Sequence, residues 1–416
     1  MPSEAPTQPP APKGALAGVK VLDFGWAIVG SLTGKFLADH GAEVIRVESA
    51  SRPDMTRVDR RYSKSSQSNL DDKPWFAHFN TSKYSLSLDL KNPRSRDVLD
   101  RLIAWADVVN ENFTPGTLQR LGLDYDYMTT INPDIIFISG SLFGQTGPLA
   151  EEWGIDGTGA AISGRLNLTG WPDRTPVTPS SGIYGDYIVP LMNATAVVAA
   201  LAHREKTGLG QYMEASMFEV TAQEITPAVL DWQSNGRLEG RTGNRVANAS
   251  PHGVFPCSGE DRWCAIAVFS DQEWADFVAA LGKPDWAADS RFATLEARKA
   301  NEDELERLVA EWTSARDPHE VMRYLQQYGV RASAVQGPAD IIDNDPQLRE
   351  RGFLQTVEHS VLGPFGHQVP PFRLSATPAQ LRPAPNMGEH NEYICTELLG
   401  VSDSEYIDLL LEDVFR

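Results

Sequence analysis

Between Val19 and Glu48 a short apolar run, a helical stretch and a second apolar run follow one another within about thirty residues, the footprint of a β-α-β unit. Val19–Phe24 reads as a strand, Leu32–Asp39 has the apolar spacing of a helix and stops at Gly41, and Glu43–Glu48 reads as the next strand. A helical crossover joins parallel strands, so the chain is predicted to start a doubly wound α/β sheet. The pattern continues with strands at Tyr84–Leu90, Val108-Val109 and Ile135–Ser139. Asn92-Pro93 offers a helix start, with an Asn cap and Pro in the first turn.

Further on, Pro190–Arg204 is small and apolar and reads as a buried helix. Lys206–Gly210 reads as a turn, and Ala215–Asp231 as another helix. After Gly240 the texture changes. Gly253–Cys257 and Trp263–Val268 read as a hairpin, followed by charged amphipathic helices across Gln272–Tyr328. Beyond Asp345 the chain is Pro-rich and irregular until a last helix near Glu405–Asp413. The expected division is a disordered tail over 1–14, a large Rossmann-like domain over 15–225, a smaller α+β domain over 226–340, and a C-terminal return to the large domain over 341–416.

A net charge of -19 argues against nucleic acid and anionic membrane as partners, since both call for a broad basic field. Cys257, Cys264 and Cys395 are an odd set without metal-like spacing, which fits a reducing cytoplasm and two buried small hydrophobes rather than a disulfide framework. No apolar run approaches the ~20 residues of a membrane span. Met1–Lys13 lacks the apolar core of a signal peptide.

Familiar catalytic motifs are missing. The turn after the first strand places glycines at 25, 30 and 34, the wrong spacing for the dinucleotide fingerprint. There is no Walker loop, no His-Glu-x-x-His and no Gly-x-Ser-x-Gly, and the eight histidines are scattered, so no metal site is expected. A local basic excess does occur in residues 46–64, where Arg46, Arg52, Arg57, Arg60, Arg61 and Lys64 face Glu48, Asp54 and Asp59. It suits either phosphate groups or a solvated charged loop.

Several segments in order resemble the class III CoA-transferases, the family of formyl-CoA transferase, the carnitine CoA-transferases and α-methylacyl-CoA racemase. They are VKVLDFGWAIVGSLTGKFLADHGAEVIRVE (19–48), FNTSKYSLSLDL (79–90), VNENFTPGTLQRLG (109–122), Phe143–Pro148, Lys206–Gln211, Asp345–Phe353 and PNMGEH (385–390). The resemblance implies an α/β fold in which each chain forms an open ring interlocked with a second chain. That second chain is an identical copy or a related subunit. It also implies a CoA thioester as substrate, with small carboxylic acids as partners and no permanently bound cofactor.

In that family a Gly-Asp pair before a long helix carries the nucleophile, and Gly185-Asp186 matches it. Without the resemblance, Asp186 reads as a helix N-cap. The chemistry suits a carboxylate, because its attack on a thioester yields an anhydride that is again an activated acyl group. By the same similarity Arg46, Lys83, Asn112, Phe113 and Arg120 are expected along the CoA channel. Racemases of the family use a His in a Gly-His-Asp segment, and Gly154-Ile155-Asp156 has no proton carrier at that place. Racemisation is therefore the weaker alternative, and a non-catalytic partner subunit is disfavoured by Asp186. Trp26 and Ile28 suggest a roomy apolar acid pocket, unlike that for formate or oxalate. Pro176–Pro190 resembles the nucleophile-bearing subunits of benzylsuccinate CoA-transferases, a branch of the family, which implies succinyl-CoA as donor and a bulky or aromatic dicarboxylic acceptor.

Overall fold

Six short strands carry the large sheet: β1 (Lys20–Asp23), β2 (Glu43–Glu48), β3 (Tyr84–Ser87), β4 (Val108–Glu111), β5 (Ile136–Ser141) and β6 (Gln211–Ser216). The structure is a computed structural model that describes residues 14–59, 69–178 and 183–416. The strands lie in the order β3-β2-β1-β4-β5-β6, and every neighbouring pair is parallel. This is the doubly wound order, with its reversal between β1 and β4. The helices used below are α1 (Val29–Asp39), α2 (Pro74–Phe79), α3 (Ser95–Trp105), α4 (Asp156–Ile162), α5 (Tyr184–Thr207) and α6 (Met217–Gln223).

Strand side chains alternate between faces, so neighbouring residues enter different cores. Leu22, Ile45 and Val109 join Leu99 and Leu102 of α3 on one face. Val21, Val44 and Val108 join Leu37 of α1 and Val197 and Ala200 of α5 on the other. Burial on both faces is why these strands read as continuous apolar runs rather than as alternating ones.

Several features depart from the sequence expectations. The helix expected to start at Asn92-Pro93 begins at Ser95, with Arg94 rather than Asn92 at the cap. The helix expected from Pro190 starts at Tyr184, with Pro190 inside it. Its burial is one-sided: Val189, Asn193, Val197 and Ala200 are covered, while Tyr187, Leu191, Met192 and Val198 are exposed. Among the described residues α5 is the one helix long and apolar enough to cross a membrane, and it packs on α1 and β5. Between the expected turn and helix lies β6, the sixth strand. The region expected to be irregular holds an antiparallel hairpin of β10 (Leu354–His359) and β11 (Gly363–Gln368).

The chain divides into two compact units. One comprises the chain up to Leu166, Thr178–Leu230 and Arg349–Arg416; the other comprises Asn167–Val177 and Asp231–Leu348. Within the first unit the C-terminal segment adds to the core, with Leu409 and Val414 beside Leu99 and Leu102. Backbone bonds from Asp89 N–H to Val414 O (2.9 Å) and from His390 N–H to Ser85 O (3.1 Å) hold it there. The second unit is built on the antiparallel sheet β7 (His252–Pro256), β8 (Trp263–Ala267) and β9 (Arg331–Ala334). Helices Asp271–Ala280, Glu302–Thr313 and Pro318–Gln327 contribute Phe277, Leu305 and Leu325 to its core. All three cysteines are free and buried.

Candidate active site

Open α/β sheets bind ligands outside the strand carboxyl ends, where the strand order reverses. Here that reversal brings the loop after β1 against the residues after β4. Asn112 locks the two together: its Oδ1 accepts the Trp26 N–H at 2.6 Å, and its Nδ2 donates to Trp26 O at 3.0 Å. Phe113 meets the Trp26 ring edge-on at 6.0 Å, and the exposed Arg52 guanidinium lies 4.8 Å from the ring centroid. A Cβ on Gly30 would sit 2.3 Å from Asn112 Oδ1 and 2.4 Å from the Gly25 Cα. The glycines therefore serve the folding of this loop onto β4, which explains their non-nucleotide spacing.

Between Trp26 and Ile28, Ala27 adopts a left-handed φ of 54°, and Asp54 holds it by accepting its N–H at 2.9 Å. The turn sends its two neighbours in different directions. Trp26 faces Asn112 and Phe113, whereas Ile28 packs with Leu32, Phe79 and Ile183, the residue that precedes α5.

Arg46 and Lys83, expected along the channel, lie in the interior beneath this loop. Arg46 is 1% exposed and donates to Asp54 at 2.6 Å, to Ser31 at 2.9 Å and to Asn80 at 3.1 Å. Lys83 donates to Asp23 at 2.7 Å, and burial lowers its ammonium pKa to about 8 despite that partner. Arg57, read as part of a surface basic patch, is fully buried. It grips Glu48 through two bonds of 2.8 Å, donates to Asp71 at 2.7 Å and lies 3.4 Å from the Phe76 ring centroid. Burial alone would raise the Glu48 carboxyl, but Arg57, aided by Arg46 and Ser85, holds it below its ordinary value. The basic excess is thus, at Arg46 and Arg57, an internal ion network that shapes the loop rather than an open phosphate cradle. Arg120 differs: it ends the short helical turn Thr117–Arg120, is exposed, and donates to Thr117 Oγ1 at 2.9 Å. Arg60, Arg61, Lys64 and the N-terminal tail lie outside the described residues.

Asp186 occupies the first turn of α5, as the third helical residue rather than the cap. The cap position, Ile183, supplies no side-chain bond. The amides are met instead from α4, where Asp156 Oδ2 accepts the Gly185 N–H at 2.9 Å. Tyr187, next along the helix, meets Phe79 edge-on at 6.1 Å, and Phe79 packs in turn with Ile28 and Ile183. Burial, then the nearby negative charge of Asp156, pushes the Asp186 carboxyl up to about 7. A half-buried carboxylate of raised basicity on a rigid helix is a competent nucleophile.

Two buried carboxyls were not singled out from the sequence. Asp156 is 2% exposed, while its neighbour Ile155, the residue weighed for racemase chemistry, is 76% exposed. Glu111, at the end of β4, is raised to about 7 by burial and borders a cavity of about 390 Å³ that Gly116, Tyr125, Gln145 and Tyr212 also line. A larger cavity of about 810 Å³ lies within the second unit, around Arg245, His252 and Arg331, and contains none of the expected site residues. Among the described residues no group of three or more His, Cys, Asp and Glu side chains is disposed to hold a metal ion.

A doubly wound sheet with its reversal between β1 and β4, and a carboxyl of raised basicity on the first turn of a long helix, suit acyl-group chemistry. The comparisons specify which. Residues 16–391 match the model of CoA-transferase family III. The succinyl-CoA–D-citramalate CoA-transferase of Chloroflexus aurantiacus is 32% identical, over 96% of this chain and 96% of that protein. The succinate–glutarate CoA-transferase of Agrobacterium fabrum is 31% identical, over 94% and 98%. A probable CoA-transferase of Mycobacterium tuberculosis is 34% identical over 98% of this chain, which spans about half of that relative, 52%. The crystal structure of a CAIB/BAIF family protein from Brucella suis superposes with a TM-score of 0.86, at 31% identity, over 93% of this chain and 100% of that one. The chain belongs to CoA-transferase family III, and it is a CoA-transferase, with CoA thioesters as its substrates.

Proposed function

We propose that the enzyme moves CoA from succinyl-CoA to a dicarboxylic acid through covalent intermediates on Asp186. The observation that carries this reading is the basic, half-buried Asp186 carboxyl on the first turn of α5. Its oxygen attacks the thioester carbonyl, the C–S bond breaks, and a mixed anhydride and the CoA thiolate form. The thiolate then attacks the Asp186 carbonyl, releasing succinate and leaving an aspartyl-CoA thioester. The acceptor carboxylate repeats the sequence in reverse and departs as its CoA ester. Each step exchanges one activated acyl group for another, so no intermediate is a deep energy trap.

The named relatives support a dicarboxylic acceptor, since D-citramalate and glutarate are both of that class. The apolar cluster of Ile28 and Phe79, with Tyr187 against it at the start of α5, supports a bulky or aromatic one, of the benzylsuccinate type. Such a pocket selects by size, at ~1–3 kcal/mol per misfitted group. Rates of CoA exchange from succinyl-CoA should therefore rank benzylsuccinate above citramalate, malate and glutarate, with formate and oxalate last. A preference for formate or oxalate contradicts the bulky-acceptor reading.

CoA is proposed to run over Asn112, Phe113 and Arg120 at the carboxyl end of β4, with Arg46 and Lys83 supporting the loop from beneath. Arg120→Ala is expected to raise KM for the acyl-CoA more than it lowers kcat, with the difference shrinking at high salt. An unchanged KM places the phosphates elsewhere. The exposed apolar side of α5, with Leu191, Met192 and Val198, supports assembly with a second chain, identical or related. Obligate interfaces of that kind bury over ~2,000 Å².

A further inference from the structure

Asp156 comes from a different helix than the nucleophile, yet it occupies the place a cap would take. Its Oδ2 accepts the Gly185 N–H, and its carboxylate also faces the amides of Tyr184 and Asp186. Its Oδ1 is buried without a hydrogen-bond partner among the described residues. A Cβ on Gly185 would lie 2.5 Å from that oxygen, so glycine before the nucleophile is what lets the carboxylate approach. A buried carboxylate oxygen left unpaired beside another carboxylate is costly. A helix start could be capped at far lower cost by a local Ser or Asn.

We propose that Asp156 is a positioning residue for the reaction: it fixes the first turn of α5 and imposes a negative field on Asp186 that is relieved when Asp186 becomes a neutral acyl or CoA ester. The proposal rests on Asp186 being the nucleophile. While both groups are free and ionised, the negative charge of Asp156 opposes that of Asp186. Once the Asp186 oxygen is acylated its charge is gone, and Asp156 is left with the helix amides and its counter-charge. The free carboxylate is therefore raised in energy relative to the covalent state, which favours acylation. Among the described residues the groups around the pair are few. Arg165, also buried, opposes the Asp156 charge, lies 4.1 Å from the Tyr184 ring centroid and pairs with Glu224 at 3.1 Å, beyond the end of α6. Tyr184 and Tyr187 are the remaining titratable neighbours on α5, and α6 presents Thr221 against Gly185.

The test compares Asp156→Asn and Arg165→Gln in the full-length enzyme, with pH profiles of kcat/KM and the aspartyl-CoA fraction at equilibrium with acyl-CoA, read by intact-protein mass. Asp156→Asn keeps the amide contact but removes the charge. Its acid limb should move about one pH unit lower, and its covalent fraction should fall. Arg165→Gln removes the counter-charge and should move the limb upward. An Asp156→Asn variant that is slower but keeps the wild-type limb and covalent fraction overturns the proposal, because a purely structural role moves neither. If that variant does not fold, the Arg165→Gln limb decides alone, and no upward movement overturns the proposal. Failure of the nucleophile reading looks different, since no covalent species would then form on Asp186 in the wild-type enzyme.

Discussion

Asp186→Ala is expected to fold and yet to lose CoA exchange by about 10³-fold or more, a barrier increase of ~4 kcal/mol or above. Among the described residues, the two other buried carboxyls of raised basicity considered above have different ties. Asp156 is tied to the α5 amides, and Glu111 ends a strand with its Oε2 accepting the Phe113 N–H at 2.8 Å. The wild-type rate should in turn depend on pH. A nucleophile with a pKa of about 7 is ionised only above that value, so kcat/KM should rise through pH 7 and level off. Stability should run the other way. The folded-state pKa is raised, so the fold is favoured by the protonated group at low pH and loses that advantage as pH rises through about 7. Asp186→Asn, which cannot ionise, should therefore be the more stable protein at pH 8 and should lose its lead near pH 4. Solvent reaching the half-buried carboxyl screens part of the effect, leaving on the order of 2 kcal/mol. Thermal melts of the two proteins across that pH range check the sign.

Arg57→Ala is expected to destabilise the first unit by about 3–5 kcal/mol, the usual cost of removing one partner of a buried ion pair. The guanidinium satisfies Glu48 bidentately and also reaches Asp71, the carbonyl of Leu70 at 3.1 Å and that of Pro385 at 3.1 Å. Without it Glu48 is a buried carboxylate whose remaining partners among the described residues are Ser85 and the more distant Arg46, 3.6 Å away. Against a total stability of ~5–15 kcal/mol the loss is large. Arg57→Lys should recover only part of it, since an ammonium cannot reproduce the fork. Urea unfolding followed through the first unit measures the shift, and a midpoint within error of wild type contradicts the buried network.

The sequence made some of this legible and hid the rest for physical reasons. The β1-α1-β2 unit was readable because strands buried on both faces appear as apolar runs and the glycines mark the loop. Strand β6 was not: Gln211–Ser216 lies at the sheet edge, with Tyr212 and Glu214 exposed, and its polar residues do not spell a strand. The β10–β11 hairpin was masked by Gly363, Pro364 and Gly366. Asp186 was singled out by the resemblance of Gly185-Asp186 to the family's Gly-Asp pair; its local context alone suggested only a helix cap. Asp156 was invisible because its role is tertiary, a cap supplied from another helix. Arg46 and Arg57 misled because sequence shows a charge but not its partner, and arginines usually face water.

Peptide mass mapping after incubation with succinyl-CoA and hydroxylamine tests the central claim most directly, because hydroxylamine intercepts an activated acyl group at the residue that carries it. The account predicts a hydroxamate on the peptide containing Asp186, dependent on acyl-CoA and absent from Asp186→Asn. An active enzyme that leaves Asp186 unmodified, or that carries the label on another residue, contradicts it.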